Sequence, residues 1–124
     1  MGLQEIFEKQ YSQKKLINIS THSFLRSKFK KYDIHREDVA ISLLEKGNNL
    51  LDIGCGEGLL LLKARNKYTN LYGIDIVPSR IEVARDNATK ERIETRVILK
   101  ISDINGGLDF EDNFFDAVTI IEIL

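Results

Sequence analysis

The chain has 124 residues, 43% of them hydrophobic, with 18 basic against 19 acidic side chains and a net charge of −1. That length suits one domain, and so even a balance supplies no overall field for nucleic acid or an anionic membrane surface. Its apolar runs fall far short of the ~20 residues a bilayer span needs, no signal-peptide pattern is read at its start, and a lone cysteine excludes an internal disulfide and makes the reducing cytoplasm the expected compartment.

Residues 3–31 carry apolar side chains at helical spacing: Leu3, Ile6 and Phe7, then Leu16 and Ile19, then Phe24, Leu25 and Phe29. This predicts one or two amphipathic helices, broken near Asn18–Thr21, where Ser20 or Thr21 could cap the second. Arg26, Lys28, Lys30 and Lys31 interleave there with Phe24, Phe29 and Tyr32. A nucleic-acid surface is one reading of that cluster; a solvated helix face is the favoured one. Residues 35–46 predict a further helix with Val39, Leu43 and Leu44 inward and Gly47 as its stop. Residues 1–34 are therefore expected to be a helical segment ahead of a domain over 35–124.

Asn48-Asn49 then turns the chain into a strand over 50–53, which runs into Asp52-Ile53-Gly54-Cys55-Gly56-Glu57-Gly58. Only glycine lacks a Cβ to collide with something lying on the main chain, and it adopts positive φ without steric penalty. Three glycines at one strand-to-helix turn point to a ligand held against bare backbone. Asp52 at the lip argues against a phosphate, which a carboxylate would repel from the helix start.

A helix over about 58–67 follows, then a strand Leu71-Tyr72-Gly73-Ile74-Asp75. Pro78 opens the next helix, to about 89, with Ile81, Val83 and Ala84 inward. Residues 96–101 supply a third strand ending at Ser102-Asp103, and after a loop containing Asn105-Gly106-Gly107 a fourth occupies about 115–121. Strands alternating with helices imply an α/β fold, a Rossmann-like, open, mainly parallel sheet wound by right-handed crossovers. Ligands of such sheets bind at the carboxyl ends of the strands. Asp52, Asp75 and Asp103 each close a predicted strand, and Glu122 falls just past the fourth.

These segments resemble the class I S-adenosylmethionine-dependent methyltransferases over roughly residues 32–124. The resemblance is carried by Asp52 to Gly58, Gly73-Ile74-Asp75, Pro78-Ser79-Arg80-Ile81, Ser102-Asp103-Ile104, and the run Leu108 to Val118 that contains Phe114-Phe115-Asp116-Ala117. It implies S-adenosylmethionine as cofactor. Asp52, Gly54, Gly56 and Gly58 would hold its methionine portion, with Cys55 a small residue packed between the glycines rather than a nucleophile. Asp75 would accept both ribose hydroxyls, Ile76 would lie on the adenine, Asp103 would accept from the adenine amino group, and Ile104 would offer its backbone N–H. Glu122 would line the methyl-donor end. In the family's RNA 2′-O-methyltransferases a Glu-x-x-Glu-His run at that place binds metal, but no metal is predicted for this chain. A carboxylate beside an ammonium is a charge-assisted partner, so Asp52 suits this ligand.

The implied function is methyl transfer to an acceptor that these residues do not identify, a small molecule or an RNA 2′-hydroxyl, and no catalytic base is singled out. A non-catalytic nucleoside-cofactor-binding or partner-binding domain is the alternative. An NAD-dependent oxidoreductase is disfavoured, because Gly54-x-Gly56-x-Gly58 departs from Gly-x-Gly-x-x-Gly. The chain ends in an apolar strand without a polar tail, which predicts a piece of a longer methyltransferase that binds cofactor weakly and turns over poorly alone. It also predicts an unpaired edge on that last strand, open to self-association.

Overall fold

A computed structural model describes residues 15–20, 36–103 and 109–122, with side chains for 36–103 and 109–120. Its elements are β1 (Lys15–Ser20), α1 (Arg36–Leu43), β2 (Gly47–Ile53), α2 (Leu59–Lys63), β3 (Tyr68–Asp75), α3 (Pro78–Lys90), β4 (Val97–Ile101) and β5 (Ala117–Glu122). The described strands form one sheet in the order β1-β5-β2-β3-β4, every neighbouring pair parallel. The α/β, Rossmann-like reading therefore holds.

Side chains alternate across the sheet with the two-residue period of a strand. Leu50 of β2, Leu71 of β3 and Ala117 of β5 face Val39 and Ala40 of α1, Leu60 and Leu61 of α2, and Ile81 and Ala88 of α3. Leu51, Ile53, Ile74, Val118 and Ile120 face the opposite way, around Phe115, with Tyr72, Phe110 and Phe114 packed against them. Tyr72 meets all three phenylalanine rings edge-on at centroid distances of 5.2–5.6 Å. A parallel sheet with both faces covered reads as continuous apolar strands, which is why β2 and β5 stood out in the sequence.

The N-terminal expectation fails. Lys15–Ser20, expected within a helix, is a strand paired in register with Ala117–Glu122. Leu16 and Ile19 fit a helical stripe, but Lys-Leu-Ile-Asn-Ile-Ser also reads as a strand with two β-branched residues, and a free sheet edge decides between them. The division at residue 34 consequently does not separate the sheet from what precedes it. β5 lies between β1 and β2, so it has no unpaired edge and the ground for self-association through it disappears. The rest of residues 3–31, including Arg26 to Lys31, lies outside the described residues.

Other boundaries moved for identifiable reasons. β2 begins at Gly47 rather than residue 50, and Asn48-Asn49 is strand, not turn. Asp116 explains this: its Oδ2 accepts the backbone N–H groups of Asn48 at 2.7 Å and Asn49 at 2.9 Å. Leu43 and Val83, expected inward, are substantially exposed, while Val39 and Leu44 are buried. α2 is shorter than expected; the chain leaves the helix at Ala64 through turns that end at β3. No described helix is long and apolar enough to cross a membrane.

Candidate active site at the carboxyl rim

The parallel register puts Ile53, Ile74 and Ile120 side by side, so the ends of β2, β3 and β5 form one rim. Asp52 is the penultimate residue of β2, Asp75 the last of β3, and Glu122 the last of β5, while Asp103 follows the end of β4 by two residues. The four carboxylates predicted at strand ends thus share that rim by position. Their environments differ sharply.

The glycine turn is tied down from beneath. The backbone N–H groups of Gly54 and Cys55 both donate to the Ile74 carbonyl at 2.9 Å, which joins the end of β2 to the end of β3. Gly54 and Gly56 have φ of +72° and +55°, and a Cβ built on either would meet nothing within 4 Å. Their upper surface is open, as a backbone cradle requires. Gly58 differs: a Cβ there would approach Ala84 of α3 at 3.3 Å, so this glycine also serves helix packing. Gly73 is a packing glycine outright, since its Cβ would meet Cys55 Sγ and Leu61 Cδ1 at 2.8 Å.

Asp75 is only 6% exposed, and both its oxygens are engaged. Oδ2 accepts the Gly56 N–H at 2.8 Å and Oδ1 accepts the Val77 N–H at 2.9 Å. Each oxygen retains a further lone pair for another donor. Ile76, beside it, is 63% exposed, an apolar platform at the rim. Asp103 is exposed. Ile104 and the Glu122 side chain lie outside the described residues.

Asp52 is 4% exposed, and its Oδ1 accepts the Thr119 hydroxyl at 2.8 Å. Burial pushes its carboxyl up to about 7, the Thr119 hydrogen bond pulls the other way, and the charges of Glu37 and Asp75 add to the rise. Burial, with the Asp52 and Asp75 charges behind it, pushes the Cys55 thiol up to about 12. A thiol so raised stays protonated at neutral pH.

A cavity of about 510 Å³ opens over the turn, lined by Asp52, Gly54, Cys55 and Gly56 together with Arg36, Glu37, Glu57, Leu59, Leu60 and Arg80. Asp75, Ile76 and Asp103 stand outside it, along the rim. The rim therefore divides into a charged cavity at the β2 end and a partly apolar stretch at β3 and β4. Sequence reasoning missed Arg36 and Glu37 as lining residues. Their only signal was two adjacent opposite charges at the start of a predicted helix, which a solvated surface produces equally well.

A model of the "Methyltransferase domain" family matches residues 44–124. The chain is similar to a ribosomal protein L11 methyltransferase of Thermotoga neapolitana, at 34% identity over 60% of this chain and 27% of that protein. It is similar to a ubiquinone biosynthesis O-methyltransferase of Alkalilimnicola ehrlichii, at 33% identity over 64% of this chain and 31% of the relative. Among solved structures it resembles the [4+2]-cyclase SpnF, with TM-score 0.59 and 32% identity over 66% of this chain and 31% of that one. The chain spans about a quarter to a third of the length of these proteins.

Proposed function

The chain belongs to the class I S-adenosylmethionine-dependent methyltransferases, and from that footing we propose that its rim binds S-adenosylmethionine and presents the methyl group to an acceptor. The observation that carries this reading is the open cradle of Gly54 and Gly56 between two buried carboxylates, Asp52 and Asp75. The residues fit the ligand end to end. Asp52, lining the cavity, faces the α-ammonium; the bare backbone of Gly54 to Gly56 supports the thioether chain; Asp75 accepts the ribose diol with its remaining lone pairs; and Ile76 lies against the adenine. Asp103 stands at the β4 end of the rim, where the adenine amino group would fall, and Ile104 and Glu122 complete the set by sequence position.

The bound sulfonium supplies an activated methyl carbon, open to in-line displacement. What the chain's own residues contribute is position, since alignment of nucleophile and methyl supplies most of the rate in such a displacement. The cradle holds the donor rigidly because Asp75 anchors Gly56 and Ile74 anchors Gly54 and Cys55. The acceptor is a small molecule or an RNA 2′-hydroxyl in this reading. The single free cysteine supports placing the protein in the cytoplasm.

A second reading, cofactor binding without methyl transfer, is favoured by the likeness to a structure described as a [4+2]-cyclase. Calorimetric titration tests the shared premise: S-adenosylhomocysteine should give saturable heat and NADH none. Binding of NADH in preference would overturn the assignment. Methyl transfer from labelled cofactor by the full-length protein separates the two readings.

A further inference from the structure

We propose that Asn87 is a positioning residue that fixes the peptide unit between Glu57 and Gly58, and so shapes the cradle for the cofactor's amino-acid end. Asn87 belongs to α3 and is not among the residues lining the cavity. Its Nδ2 donates to the Glu57 carbonyl at 3.0 Å, across 30 positions of sequence. The other end of the same peptide unit is tied as well. The Gly58 N–H donates to the Cys55 carbonyl at 3.0 Å. One bond is local to the turn and the other comes from a remote helix, and together they set the plane of that peptide.

Why this unit needs holding follows from its neighbours. The incoming limb of the turn is anchored by the Ile74 carbonyl and its apex by Asp75. The outgoing limb has no strand beside it and leads into Gly58 at φ +84°. Glycine takes either sign of φ without steric penalty, so the peptide ahead of it is free to turn over unless both its ends are bound. Among the described residues, Asn87 is the only side chain that hydrogen-bonds to Glu57 or Gly58. Ala84 stands one turn earlier on the same face of α3, with its Cβ 3.3 Å from where a Gly58 Cβ would lie. One face of α3 therefore clasps the outgoing limb at both residues, Glu57 by a hydrogen bond and Gly58 by contact. Through that clasp a helix that never meets the methionine portion governs the backbone beneath it.

This inference rests on the cofactor reading above, and its test separates the two. Affinities of S-adenosylhomocysteine and 5′-methylthioadenosine, which lacks the amino-acid end, are measured on the whole chain and on Asn87→Leu and Asn87→Gln. Leucine keeps the size of asparagine and suits a helix, but has no donor; glutamine restores the amide. Asn87→Leu should weaken S-adenosylhomocysteine roughly three- to tenfold, the worth of one hydrogen bond. It should leave 5′-methylthioadenosine unchanged, which also shows the variant folded. Asn87→Gln should recover part of the loss, a rescue that a packing role alone would not give. Undiminished binding of S-adenosylhomocysteine by Asn87→Leu, or an equal loss for both ligands in both variants, would overturn the role of Asn87 alone. Failure of the unaltered chain to bind either ligand would overturn the cofactor reading and this inference with it.

Discussion

The Asp75 carboxylate accepts the backbone N–H of Gly56 at 2.8 Å, across 19 positions of sequence. The acid expected to hold a ribose is thus also the anchor of the glycine cradle, and its other oxygen anchors the turn into α3 through Val77. Binding and shape are coupled in one side chain.

Asp75→Ala should therefore lower both stability and affinity. Losing an acceptor from two backbone donors costs about 1–3 kcal/mol each where they stay buried, and S-adenosylhomocysteine affinity should fall roughly ten- to a hundredfold or more. Thermal unfolding and calorimetry on the same sample measure the two effects. A variant that loses affinity at unchanged melting temperature would show that the anchor is dispensable.

The Asp52 carboxyl is pushed up to about 7 in the folded chain from an ordinary value of 3.8. The folded state therefore holds the proton more tightly than the unfolded one. Its contribution to stability is full below about pH 4 and is lost as pH rises through about 7. Cofactor binding runs the opposite way, because an ammonium wants the carboxylate form. Affinity should rise from pH 6 to pH 8, and Asp52→Asn should flatten both profiles. A pH-independent affinity in the unaltered chain would contradict the pairing.

Thr119 is fully buried, with its hydroxyl 2.8 Å from Asp52 Oδ1 and 3.4 Å from the Leu51 carbonyl. Its bond to Asp52 favours the charged form. Thr119→Val should raise the Asp52 carboxyl further, so that the affinity profile moves to higher pH, whereas a purely structural loss would weaken binding equally at every pH.

Two glycines should respond differently to alanine, one mainly in stability and the other mainly in affinity. Gly73→Ala drives a Cβ to within 2.8 Å of Cys55 Sγ and Leu61 Cδ1 and should destabilise by about 1–3 kcal/mol through overpacking. Gly56→Ala meets open space, so its stability loss is limited to about 1–2 kcal/mol for the left-handed backbone at φ +55°. Its effect on cofactor affinity should be the larger one, because the new methyl occupies the cradle. Chemical denaturation and ligand titration of both variants give the comparison.

Residues 50–103 were largely legible in the sequence, because local patterns there agree with the tertiary outcome. Leu50 to Ile53 and Leu71 to Asp75 read as strands on apolar content, Pro78 marks the start of α3 at its first position, and three glycines around Cys55 announced a turn with φ of +72°, +55° and +84°. Lys15–Ser20 was not legible. Its apolar spacing suits a helix and a strand alike, and only the edge offered by β5 settles the matter.

The sequence by itself determined the α/β class, the glycine turn and the acids that close the strands, since each follows from short-range sterics and from apolar runs bounded by turn residues. Tertiary structure alone decided what those acids do. Asp52 and Asp75 look alike in sequence, each closing a strand, yet one is buried against Thr119 with its proton held to about 7 and the other spans two backbone donors. Arg36 could not be told from a surface arginine until α1 packed beside the rim and buried its Nε without a hydrogen bond. Desolvation and distance set those properties, and both arise only when segments remote in sequence come together.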